Sequence, residues 1–186
     1  ERAAGILGRI RAFARKRTAS REAVAPRELV DEAIALFRGM LAHAPPIAIS
    51  DALPAAALIE VDRLQIQQVL LNLLKNAWDA SRAQAPERQR IDIGLASAAG
   101  SLRIAVRDYG SGLAPGAHEH LFEPFFTTKA DGLGLGLSIC RSIAEAHGGR
   151  LSAENPAPAG VGALFVLSLP MQAPSPTATR GEPAQS

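Results

Sequence analysis

The feature that most constrains this chain is the order in which its hydrophobic period changes. A helical repeat is followed by two short apolar runs, a second long helical repeat, an alternating hairpin, a third helix and two further strands. Strands and helices do not alternate one for one, as a doubly wound parallel sheet requires, so the order predicts an α+β fold: a two-layer sandwich with one mixed sheet covered on one face by three helices.

Pro26 opens a helix reaching about Met40, with Leu29, Val30, Ala33, Ile34 and Phe37 on its buried side and Glu28, Asp31 and Glu32 near its positive end. Ile47–Ile49 and 57–61 read as strands separated by a turn over 51–54. Asp62 is placed to cap a helix from Arg63 to about Ala83, whose inner side carries Ile66, Val69, Leu70, Leu73, Ala77 and Ala80. The alternating segments 91–96 and 102–106 flank Gly100-Ser101 and predict a hairpin. A helix from about Gly136 to His147 stops at Gly148-Gly149, and 150–154 and 163–169 supply the last strands.

Composition bounds the rest. At 186 residues and 47% hydrophobic content the chain supports one core, and a net charge of +2 gives no reason to expect a nucleic-acid partner. The lone Cys140 excludes an internal disulfide framework and favours the cytoplasm; no apolar run approaches the roughly 18 residues that span a bilayer. Residues 3–17 form a basic helix with a narrow apolar stripe (Ile6, Ile10, Phe13) that needs a partner helix. After Pro170 the chain turns polar and proline-rich and is expected to be disordered.

Four local features occur in a fixed order. Asn72 and Asn76 stand four apart on the central helix and share one edge of it, where amide oxygens can face a hard cation; two Asn alone fit a plain polar helix face better. Asp108, Gly110 and Gly112 follow a strand: a carboxylate accepts from an exocyclic amine such as that of adenine, and glycines let backbone pass close by. Phe122, Phe125 and Phe126 form an aromatic group that should anchor its loop to the core, followed by Thr127, Thr128 and Lys129, two hydroxyls and a cation suited to polyphosphate. Gly132, Gly134 and Gly136 alternate with leucines and run into a helix, where free N–H groups can converge on an anion; the Gly-Lys-Ser/Thr ending of a Walker loop is absent. The irregular stretch 109–135 that joins these features is long enough to suggest a functional loop.

Together, segments 72–80, 108–112, 122–129 and 132–138 resemble the asparagine box, first glycine box, phenylalanine box and second glycine box of histidine protein kinases, members of the ATP-binding superfamily shared with DNA gyrase and MutL and built on the Bergerat fold. The wording of 123–129 is most similar to kinases of the nitrogen-, oxygen- and dicarboxylate-sensing type. The resemblance covers about 61–170 and implies an ATP-binding catalytic domain over 20–170, the end of a dimerisation helix over 1–19, and a disordered tail over 171–186. It implies Mg²⁺ and ATP as cofactors, with Asn76 as metal ligand, Asn72 beside the phosphates and Asp108 on the adenine amine. Gly110 and Gly112 would shape the pocket, and Phe125 would belong to the nucleotide-binding residues. Thr127, Thr128, Lys129, Gly132 and the Gly134, Leu135, Gly136 and Leu137 backbone would hold the phosphate tail, with 113–133 as a mobile lid. Asn72, Asn76 and Lys129 would serve transfer of the γ-phosphate.

In gyrase-like members a Glu stands four residues before the metal-binding Asn and activates water; here Asn72 occupies that place, which favours transfer over hydrolysis. The implied acceptor is a histidine on a dimerisation domain outside this chain, and the implied partner downstream is a response regulator receiver domain. His118, followed by Glu119, superficially resembles an acceptor histidine but lies within the expected lid; His43 and His147 read as structural. The family's usual hydroxyl is replaced by Ala163 after Gly162, which implies modestly lower nucleotide affinity. The alternatives are an ATP-binding regulatory module and a serine kinase of the same superfamily.

Overall fold

A computed structural model describes residues 20–114, 116–127, 133–156 and 161–171. The expected helix over 3–17, Thr128, Lys129, Gly132, and the tail from residue 172 lie outside the described residues. Its elements in chain order are β1 (Glu22–Val24), α1 (Pro26–Gly39), β2 (Ile47–Asp51), β3 (Ile59–Val61), α2 (Arg63–Ser81), β4 (Ile91–Ala98), β5 (Ser101–Asp108), the short α3 (Ala117–His120), α4 (Gly136–Ala146), β6 (Arg150–Glu154) and β7 (Leu164–Pro170).

The principal sheet has the order β2-β4-β5-β7-β6, parallel between β2 and β4 and antiparallel elsewhere. Alternation along three central strands sends Ile91, Ile93, Leu95, Leu102, Ile104, Val106, Phe165, Leu167 and Leu169 into one core. Helices α1, α2 and α4 lie over that sheet, so the α+β sandwich expected from the sequence is the observed architecture. A separate two-stranded ribbon pairs β1 with β3. It was not legible, because three residues carry too little pattern and β1 meets β3 only across a whole helix. The two runs expected around the 51–54 turn therefore belong to different sheets; the turn itself is closed by the Leu53 N–H donating to Asp51 Oδ1 at 3.0 Å.

Helix α2 is the centre of the packing. Asp62, in extended backbone, accepts from the Gln65 N–H at 3.1 Å and satisfies one of the free donors of the first turn. Ile66, Val69, Leu70, Leu73, Leu74 and Ala77 are buried on its inner side, and at about 1.5–3 kcal/mol for each large side chain this burial outweighs helix propensity in fixing the element. The β4–β5 turn falls on Ala99-Gly100, one residue before the expected position. Both have positive φ (49° and 75°), as a two-residue turn matched to strand twist requires, and Ser101 already pairs with Ala98. Met171, assigned to the tail by the sequence, donates to Gly100 O at 2.9 Å and packs on the core. Among the described residues no helix is long and apolar enough to cross a membrane.

Candidate functional site

Helix α4 ends in a glycine cap: Gly148 at φ 71° turns the chain, and the Gly149 N–H donates to Ala144 O at 2.8 Å. Just before it, buried His147 is structural, as the sequence suggested. Its Nε2 accepts from the Asp62 N–H at 3.0 Å and its Nδ1 lies 2.8 Å from Ile143 O, so it ties the start of α2 to the end of α4.

The same two helices meet again at the other end of α4. Asn72 Nδ2 donates to the thiol of Cys140 at 3.2 Å, and a Cβ on Gly136 would stand 2.8 Å from Asn72 Oδ1. Glycine at 136 is what lets the start of α4 reach Asn72. Burial pushes the Cys140 thiol up to about 11, with the Asn72 hydrogen bond opposing, so this sulfur is a neutral packing group. Asn76 follows one turn later on the same edge of α2, half-buried and engaged with a neighbouring group. At the α4 N-terminus the first intrahelical bond is Ile139 N–H to Leu135 O at 3.1 Å, so the N–H groups of Gly136, Leu137 and Ser138 have no partner within the helix. The Ser138 hydroxyl donates to Leu135 O at 3.0 Å.

Asp108 ends β5 with only 3% of its surface exposed. Its Oδ1 accepts from the Gly110 N–H at 2.8 Å and the Ala163 N–H at 3.1 Å; among the described residues Oδ2 accepts from none. Burial pushes this carboxyl above its ordinary 3.8, while the two backbone donors and the positive charges of Arg107 and Arg88 pull it back. The surrounding backbone is closely stacked. A Cβ on Gly110 would stand 2.7 Å from Ala80 O, and one on Gly162, at φ 74°, only 1.8 Å from Asp108 O. Position 163 thus contributes its backbone N–H to Asp108. Gly112, at φ 78°, lies against Asn155, whose side chain accepts from the Leu113 N–H at 2.7 Å and donates to Leu113 O at 2.9 Å.

The phenylalanine group divides. Phe122 packs on the core and the half-buried Phe126 lies beside the His120 ring, but Phe125 is 76% exposed and holds φ 70°, so its ring anchors nothing to the core. Its backbone does the joining. Phe125 N–H donates to Gly134 O at 3.0 Å, and at Gly134 (φ 65°) a Cβ would fall 2.4 Å from the Phe125 carbonyl carbon. Thr127 is exposed and has an interaction partner. His120 pairs with Glu123 at 2.9 Å in the same region.

Three residues of this site escaped sequence reading: Ser81, Arg88 and Asn155. Ser81 continues the apolar stripe of α2 one turn beyond Ala77, fully buried, and its hydroxyl accepts from the Tyr109 N–H at 3.3 Å. That hydroxyl on an apolar stripe was a usable signal, as was Asn155-Pro156 after a strand. Arg88 carried none.

The structure therefore brings Asn72 and Gly136 together, and separately Asp108, Gly110 and Gly112, with α2 running between the two groups. Comparison with known proteins gives this arrangement a family. The model of the family described as "Histidine kinase-, DNA gyrase B-, and HSP90-like ATPase" matches residues 61–173. TdiS of Thauera aromatica, a sensor protein, is 37% identical over 155 residues, which is 82% of this chain and 28% of TdiS. The sensor protein FixL of Bradyrhizobium diazoefficiens is 40% identical over 171 residues, 91% of this chain and 33% of FixL. Among solved structures, the catalytic domain of histidine kinase ThkA in a nucleotide-free form superposes with a TM-score of 0.69 at 32% identity, covering 81% of this chain and 95% of that one. ThkA in complex with the response regulator TrrA matches with a TM-score of 0.68 at 28% identity over 91% of this chain and 47% of that one. The chain belongs to this ATP-binding family and is a catalytic domain of the sensor histidine kinase kind. It spans about a third or less of the length of the curated relatives named here.

Proposed function

We propose that this domain is cytoplasmic, binds Mg-ATP and, within a longer sensor kinase, delivers the γ-phosphate to a histidine on a dimerisation domain. In this reading residues 20–170 are the catalytic unit and 1–19 the end of a dimerisation helix. The observation that carries it is Asp108: a buried carboxylate with one oxygen committed to backbone donors and the other open to the amine of a base. The Gly136, Leu137 and Ser138 N–H groups, at the positive end of α4, are suited to the phosphates. Thr127, Thr128, Lys129 and Gly132, within a lid over 113–133, and the Gly134 backbone just after it would complete that cradle.

Among the described residues no group of three or more acidic, histidine or cysteine side chains could cage a metal. The available donor chemistry is instead the Asn76 amide oxygen, and Mg²⁺ is commonly held by one or two protein oxygens with substrate phosphates and water. Bound there, Mg²⁺ would neutralise phosphate charge during transfer. Asn72 would hold the start of α4 in place and, as an amide, cannot act as the base that hydrolysis needs. A response regulator is the bound partner of ThkA in one matched structure, which supports a receiver domain as the next phosphate acceptor here.

Calorimetric titration of a non-hydrolysable ATP analogue, with and without Mg²⁺, tests the reading. The unaltered chain should bind with Mg²⁺ dependence, and Asn76→Ala should lose that dependence. Failure of the unaltered chain to bind at millimolar analogue would shift the case to a regulatory module.

A further inference from the structure

Arg88 ends the short 3₁₀ turn Pro86–Arg88 between α2 and β4, and its side chain reaches the segment that follows β5. Its Nε donates to Tyr109 O at 2.8 Å and its Nη2 to Gly110 O at 2.5 Å. A guanidinium offers two donors in a fixed plane, which suits two successive carbonyls as a lysine ammonium does not. The Tyr109 carbonyl and the Gly110 N–H belong to one rigid peptide plane. Holding the carbonyl on one side therefore directs the N–H on the other, and that N–H is the one that donates to Asp108 Oδ1 at 2.8 Å.

The neighbouring contacts converge on the same short segment. Ser81 Oγ accepts from the Tyr109 N–H, and the Gly162 N–H donates to Gly110 O at 3.0 Å. The Tyr109 ring has the Arg90 and Arg107 guanidinium carbons at 4.2 and 4.9 Å from its centroid, and its hydroxyl donates to Asp92. Of these groups, Arg88 alone grips both carbonyls.

We infer that Arg88 is a positioning residue for base recognition: by gripping the Tyr109 and Gly110 carbonyls it fixes the peptide that orients the Asp108 carboxylate, and so sharpens the preference for a base presenting an amine over one presenting a carbonyl. This rests on the reading of Asp108 as the group that receives the adenine amine. Its positive charge also favours the ionised carboxylate against the effect of burial.

The test uses the full 186-residue chain with Arg88→Met, Arg88→Lys and Asp108→Asn, titrated with non-hydrolysable ATP and GTP analogues and melted without nucleotide. Arg88→Met should weaken the ATP analogue about tenfold and the GTP analogue less, narrowing the ratio between them. Arg88→Lys, with the charge but not the fork, should fall between. Equal weakening of both analogues, or a lower melting temperature with unchanged affinities, would make Arg88 only structural and overturn the inference. If Arg88→Met fails to fold, a folded Arg88→Lys that keeps the full ratio overturns it equally. Should Asp108→Asn bind the ATP analogue as well as the unaltered chain does, the base-reading role itself is lost; should only Asp108→Asn lose binding, that role stands and the Arg88 inference falls.

Discussion

At the Asp108 end of the site the peptide groups of 108–110 are held by residues distant in sequence: Ala163 and Gly162 from the approach to β7, Ser81 from the end of α2 and Arg88 from the turn beyond it. At the Gly136 end, one amide side chain, Asn72, meets a glycine and a thiol, while Phe125 turns its ring to solvent. Both ends depend on glycines where a Cβ would collide, but among the described residues only the first surrounds its candidate side chain, Asp108, with fixed backbone donors. A buried carboxylate has to be satisfied to stay ionised and pointed. A helix N-terminus presents its N–H groups by geometry alone, without such a frame.

The sharpest way to break this comparison is Gly162→Ala. A Cβ placed 1.8 Å from Asp108 O, at a φ that L residues rarely adopt, should cost about 3 kcal/mol or more and abolish nucleotide binding, as seen by thermal melting and titration.

Next is Asp108→Asn, which should weaken an ATP analogue by about 10- to 100-fold, the loss of a hydrogen bond to a charged acceptor. The same change should stabilise the nucleotide-free domain at neutral pH. The folded carboxyl holds its proton more tightly than its unfolded counterpart, so its contribution is fully present below the ordinary 3.8 and is lost as pH rises through the raised folded value. The gap in denaturation midpoint between Asp108→Asn and the unaltered chain should widen in favour of the variant as pH rises across that interval.

His147→Ala examines the helix pair that joins both ends. Leaving the Asp62 N–H without its acceptor should destabilise the fold by about 1–3 kcal/mol, read from chemical denaturation. Smallest is Phe125→Ser: with the ring 76% exposed, stability should move by less than about 0.5 kcal/mol. A larger drop would show that the ring packs against the protein in solution.

How far the sequence could be read depended on whether a signal was local. The inner faces of α1 and α2 were legible because burial repeats every three to four residues, and the hairpin was legible from alternation, with its turn displaced by one residue because Ala99 adopts a left-handed conformation that alanine seldom takes. Asp108, Gly110 and Gly136 were legible as candidates because residue type and spacing limit what such positions can do.

Sequence alone thus determined the α+β order, the core faces and the four segments that mark the family. Tertiary structure decided the rest: that β1 pairs with β3, that Phe125 faces out while Phe122 faces in, that Asn72 seats on Gly136, and that Arg88 holds the peptide beside Asp108. The physical reason is that periodicity and glycine placement are properties of neighbours along the chain. A hydrogen bond between residues 88 and 109, or a steric limit between 162 and 108, exists only once the sheet and α2 have brought those residues together.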